Sequence, residues 1–115
     1  MRALALLPLA ALVACSSTTS GLTIAPRSQF VLGGDESGRF VVDLVNKGEA
    51  PVEVAEVTRH GDTLAVATLS PADSTRARFA AGSAALLANR SDRVAHVRAV
   101  IRGDTDLGMR SVPVD

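Results

Sequence analysis

The chain has no tryptophan, no tyrosine, three phenylalanines and a single cysteine among its 115 residues. Lone cysteines cannot close an intramolecular disulfide, so the fold must be held by packing even in an oxidising compartment. Without Trp or Tyr there is no aromatic platform of the kind that stacks sugars or single-stranded bases. Twelve Lys and Arg offset twelve Asp and Glu. A balanced chain with interleaved signs builds no overall basic field of the strength that nucleic acid or an anionic lipid surface requires. Beyond residue 15 no apolar run approaches the length of a membrane-spanning helix.

What the sequence does contain is most specific at its start. Arg2 precedes an apolar run from Ala3 to Ala14, which ends in Leu12-Val13-Ala14-Cys15. A positive start, a short apolar stretch and small residues before the break form a secretory signal, too short for a stable span. Leu12-Val13-Ala14-Cys15 resembles the lipobox of bacterial lipoproteins. The resemblance implies cleavage before Cys15 and a diacylglycerol thioether on its sulfur, the only prosthetic group expected. An ordinary buried thiol is the alternative for Cys15. Ser16, in place of an Asp after the cysteine, favours the periplasmic face of the outer membrane over the inner membrane in proteins of this type. The expected division is a signal over 1–14, a lipidated Cys15 with a flexible Ser/Thr/Gly tether to residue 21, and one folded domain over 22–115. Roughly 100 residues suffice for one modest core.

Along the domain, apolar residues recur with a period of two and are interrupted by Gly, Pro, Asn and Asp. Phe40, Val42 and Leu44 define one strand. Val52 and Val54 define the next, with Val57 out of phase, which predicts a bulge near Ala55 or Glu56. His60-Gly61-Asp62 reads as a tight turn into Leu64, Val66 and Thr68. From Ser74 to Ile101 the Ala, Arg and Leu content favours helix by propensity. Yet Thr75, Ala77 and Phe79 alternate with arginines, Ala95, Val97, Ala99 and Ile101 alternate with polar residues, and a helix would have to include Gly82. Strands are therefore expected, including Ser83–Asn89. A last strand runs from Leu107 to Val114.

Seven to eight short strands with no room for crossover helices predict a two-sheet antiparallel sandwich. Phe40-x-Val42-x-Leu44-x-Asn46-x-Gly48 followed by Pro51-Val52-x-Val54 resembles the strand-turn-strand of immunoglobulin-like and fibronectin-like envelope domains. That resemblance transfers no ligand residue, because the buried Trp, the corner Tyr and the paired Cys are all missing.

Candidate sites are few. His60 and His96 are the only imidazoles, in a turn and on an outward strand face, and no nucleophile elbow accompanies them. A hydrolase built on His60 and Asp62 is the weakest reading, and no enzyme is expected. Asp104 and Asp106, with the Gly33–Glu36 loop, offer oxygen ligands for Ca²⁺, although Asp in a turn also caps local backbone donors. Arg102-Gly103-Asp104 matches an integrin tripeptide and Asn89-Arg90-Ser91 a glycosylation acceptor; both read as turn chemistry. Arg76, Arg78, Arg93, Arg98 and Arg102 form a one-sided stripe suited to an acidic partner or anionic glycan if their strands are neighbours, or else pair with carboxylates on a solvated face. The resulting expectation is a non-enzymatic, lipid-anchored scaffold or interaction module with an envelope protein partner and no nucleic acid. A periplasmic module binding a small ligand or Ca²⁺ is the alternative.

Overall fold

The computed structural model describes residues 17–34, 37–103 and 107–113, and every regular element among them is a β-strand. The strands are β1 (Ser17–Ile24), β2 (Ser28–Gly33), β3 (Phe40–Asn46), β4 (Val52–Val57), β5 (Thr63–Leu69), β6 (Ser74–Phe79), β7 (Ala84–Asn89), β8 (Ala95–Gly103) and β9 (Met109–Pro113). They build two antiparallel sheets, β1-β8-β3-β6 and β5-β4-β7-β2-β9. The expected all-β sandwich is present. Ser83–Asn89 resolves in favour of strand, because β7 buries residues on both faces and has no polar side for a helix to turn to solvent.

Three details depart from the sequence reading. First, the described residues form nine strands rather than about seven or eight, and β1 begins at Ser17, inside the segment read as a flexible tether. Ser17 to Gly21 pair residue for residue with Arg102 to Arg98. The exposed ladder of β8 supplies the backbone partners, so small hydroxyl residues join the sheet although they contribute little burial of their own. Second, the connectivity is not immunoglobulin-like. Strand β1 pairs with β8, β2 with β7, β3 with β6 and β4 with β5. This nested pairing is the jelly-roll pattern, one long hairpin rolled over itself, with β9 added beside β2. Third, the last strand is shorter than expected at its start, because Leu107 and Gly108 precede the ladder.

The apex of the rolled hairpin is the predicted His60-Gly61-Asp62 turn. The amide of Thr58 donates to the Asp62 carbonyl at 2.8 Å, that of Gly61 donates to Thr58 at 2.9 Å, and Gly61 has a φ of 93°. The predicted bulge also lies where Val57 leaves phase, but the extra residue is on the partner strand. Val54 faces Ala67 and Ala55 faces Ala65, which leaves Val66 unpaired.

The core lies between the sheets. Phe40, Val42 and Leu44 of β3 and Ala95, Val97, Ala99 and Ile101 of β8 all point inward, as their alternation predicts, against Leu32, Val52, Val54 and Leu87 of the other sheet. Two buried asparagines at strand ends pin the sheets together. Asn46 Nδ2 donates to the carbonyls of Ala50 at 2.8 Å and Leu69 at 3.0 Å, while its Oδ1 accepts from the Gly48 amide at 3.0 Å. Asn89 Nδ2 donates to Ile24, Ala25 and Arg93, and its Oδ1 accepts from the amide and hydroxyl of Ser91. Asn89 thus starts a turn, as expected, and is buried.

Candidate functional site: two unlike sheet faces

The pairing registers fix which side chains share a face, because directly opposed residues project to the same side of a sheet. On the outer face of the four-stranded sheet, Ser17, Arg102, Val41 and Arg78 form one row. Thr19, Val100, Asp43 and Arg76 form the next, followed by Gly21, Arg98, Val45 and Ser74. Strand β3 therefore brings the arginines of β6 and β8 together around one carboxylate. Of the arginines singled out in the sequence, Arg76, Arg78, Arg98 and Arg102 meet here. Arg93 does not, because it lies in the turn before β8, where its carbonyl accepts from Asn89 and Ser91.

Asp43 is clamped from both sides. Arg76 donates through Nε at 2.6 Å and Nη2 at 3.1 Å, and Arg102 donates through Nη1 at 2.5 Å. These charge-assisted bonds, that of Arg76 foremost, hold the Asp43 carboxyl below its ordinary value of 3.8 and raise Arg76. The pairing with carboxylates is thus partial: Arg76 and Arg102 share the Asp43 carboxylate, while Arg78 and Arg98 have no side-chain ion pair among the described residues. His96 continues the exposed face of β8 beyond Arg98.

The five-stranded sheet presents a different outer face. Its rows are Glu53, Ala88, Gln29 and Val112, then Ala55, Leu86, Val31 and Arg110. Beside β5 these small apolar residues line an open groove of about 430 Å³, with the ion pair of Arg90 to Glu53 at one end. The groove borders an edge strand of unusual composition. The other edges carry protection: Arg76 and Arg78 on β6, Arg110 and Pro113 on β9, and exposed Ser and Thr on β1. Strand β5, Thr-Leu-Ala-Val-Ala-Thr-Leu, has no charge and no proline, and it exposes Leu64 at 51% and Val66 at 40%. The sequence reading placed these residues correctly in a strand but not at an edge, which only the pairing order reveals.

The other expected sites divide between described and undescribed residues. His60 and Asp62 lie exposed at the hairpin apex, and the Asp62 amide donates to Thr58 Oγ1 at 3.2 Å. Cys15 and the lipobox residues Leu12, Val13 and Ala14 lie outside the described residues, as do Asp35, Glu36, Asp104 and Asp106. Their described neighbours converge: the Gly33 amide donates to the Gly108 carbonyl at 2.9 Å, and Gly103 packs against Arg39 and Phe40. Among the described residues no three His, Cys, Asp or Glu side chains gather as a metal site.

The described residues thus form a nine-stranded β-sandwich of jelly-roll connectivity, with arginines on one outer face and an apolar groove on the other. No protein-family model matches it, and no curated protein matches it in sequence. Among solved structures it is similar to the Yersinia pseudotuberculosis-derived mitogen, with a TM-score of 0.48 and 10% identity, over 87% of this chain and 99% of that one.

Proposed function

We propose that the chain is a lipid-anchored, non-enzymatic interaction subunit of a bacterial cell envelope, which holds a partner protein at the edge of its five-stranded sheet. The observation that carries this reading is β5, an edge strand with an open ladder and an exposed Leu64, whose exposed Val66 borders an apolar groove. An extended segment added there gains main-chain hydrogen bonds from the edge and seats alternate side chains in the groove. Its chemistry would be apolar and β-branched, matching Ala55, Ala65, Leu86 and Ala88. The lipobox-like Leu12-Val13-Ala14-Cys15 supports the anchor, and Ser16 supports the outer membrane. With two or more acyl chains at about 0.8 kcal/mol per buried methylene, attachment would be stable.

The test is co-purification of C-terminally tagged protein from cross-linked, detergent-solubilised membranes of the native host, with Cys15→Ala and Val66→Lys forms alongside. A stoichiometric protein partner that is lost in Val66→Lys supports the edge. A partner retained in Val66→Lys would overturn the edge as the site. Lipid labelling that persists in Cys15→Ala would overturn the anchor.

A further inference from the structure

We infer that the arginine face of the four-stranded sheet lies on an anionic phospholipid surface and so sets the orientation of the domain on its membrane. The inference rests on the anchor at Cys15 proposed above. Overall neutrality argued against such a surface, but the fold separates the charge that the composition averages. Arg76, Arg78, Arg98 and Arg102 share one face with Asp43 as the single carboxylate of its rows. Guanidinium groups donate in pairs to phosphodiester oxygens, and among the described residues no other side chain engages Arg78 or Arg98.

The second argument is where the chain leaves the fold. Ser17, the first residue of β1, stands in the same row as Arg102 and Arg78. Only Ser16 separates it from Cys15, and two residues span at most about 7 Å. A thioether lipid at Cys15 therefore keeps the Ser17 end of this row, with Arg102 on the next strand, near the headgroups on the scale of a Debye length, about 8 Å at physiological salt. Residues 17–21, which would otherwise serve as a tether, are held in β1. Lying on the β1-β8-β3-β6 face sets Arg76, Arg78, Arg98 and Arg102 against the headgroups. The apolar groove and the β5 edge then face away from the membrane, open to a partner.

The mature lipidated protein, isolated from membranes and reconstituted into vesicles, tests this. Cys15 is consumed by its thioether, so Thr19→Cys supplies a unique thiol on the arginine face for a nitroxide, and Thr63→Cys supplies one on the other sheet. Collision with a water-soluble nickel complex is compared between vesicles of phosphatidylcholine and vesicles with equal parts phosphatidylglycerol. The Thr19 position is expected to become several-fold less accessible on the anionic vesicles while Thr63 is unchanged. Arg78→Glu with Arg98→Glu, or roughly 1 M salt, where the Debye length falls to about 3 Å, should restore access. Equal access at Thr19 on both vesicles would overturn this inference alone and leave the face to an acidic protein. Protein that fails to float with neutral vesicles would overturn the anchor, and this inference with it.

Discussion

The rings of Phe40 and Phe79 stack across β3 and β6 with centroids 5.0 Å apart and planes 19° from parallel, and both are buried. They are direct cross-strand partners, so the same register that aligns the outer arginines aligns the largest side chains of the core. Phe40→Ala and Phe79→Ala should each destabilise the fold by about 3 to 5 kcal/mol in urea unfolding. The double variant should cost less than the sum, since the ring contact contributes about 0.5 to 1.5 kcal/mol that is lost only once. Losses below about 1 kcal/mol would contradict the burial of these rings.

Asp43 predicts a pH dependence. Its carboxyl is lowered in the folded protein by Arg76 and Arg102 and returns to its ordinary value, near 3.8, on unfolding. A group depressed in the folded state stabilises above its unfolded value and loses that contribution as pH falls through the folded value. Wild type should exceed Asp43→Asn in stability at neutral pH, and the difference should vanish in acid, below the lowered value. A difference that is constant from neutral pH into strong acid would show that the charge of Asp43 is not the cause.

The amide of Asn89 serves three carbonyls, those of Ile24, Ala25 and Arg93. Asn89→Ala leaves buried acceptors without a donor and should cost about 1 to 3 kcal/mol. Asn89→Asp should cost at least as much near neutral pH, because a carboxylate cannot donate to a carbonyl. An Asp variant as stable as wild type would place the hydrogen-bonding donor elsewhere.

Gly103 has a φ of 97°, and a Cβ there would lie 2.7 Å from the Arg39 carbonyl oxygen. Gly103→Ala should destabilise by about 1 to 3 kcal/mol. Gly21→Ala is the control. A Cβ at Gly21 meets nothing within 4 Å, and its stability change should stay within about 0.5 kcal/mol. Thermal or denaturant unfolding of the two variants side by side distinguishes strain at Gly103 from a general intolerance of substitution.

Much of the sandwich was legible because burial and alternation coincide. Phe40, Val42 and Leu44, and the run from Ala95 to Ile101, declare an inward face by themselves, and His60-Gly61-Asp62 declares its turn. Strand β1 was not legible over Ser17–Gly21. Its place depends on the ladder of β8, more than seventy positions along the chain in every pair, and not on its own side chains. The arginine face was half legible: alternation sets Arg76 with Arg78 and Arg98 with Arg102, but only the strand order puts β3 and Asp43 between them. The exposure of β5 is likewise a property of pairing order, invisible in a segment that reads like any buried strand.

The nested pairing has a consequence for how the protein comes to be folded. Strand β4 meets β5 across the five residues between Val57 and Thr63, whereas Ser17 must find Arg102. Closing a long loop before the inner pairs exist costs chain entropy that those pairs would otherwise remove in small steps. Loop-closure entropy therefore favours pairing that runs outward from the His60-Gly61-Asp62 apex, through β3 with β6 and β2 with β7, to β1 with β8. The pair that joins the two ends of the rolled hairpin, β1 with β8, thus has the longest loop of the nested pairs to close and gains most from every pair formed inside it.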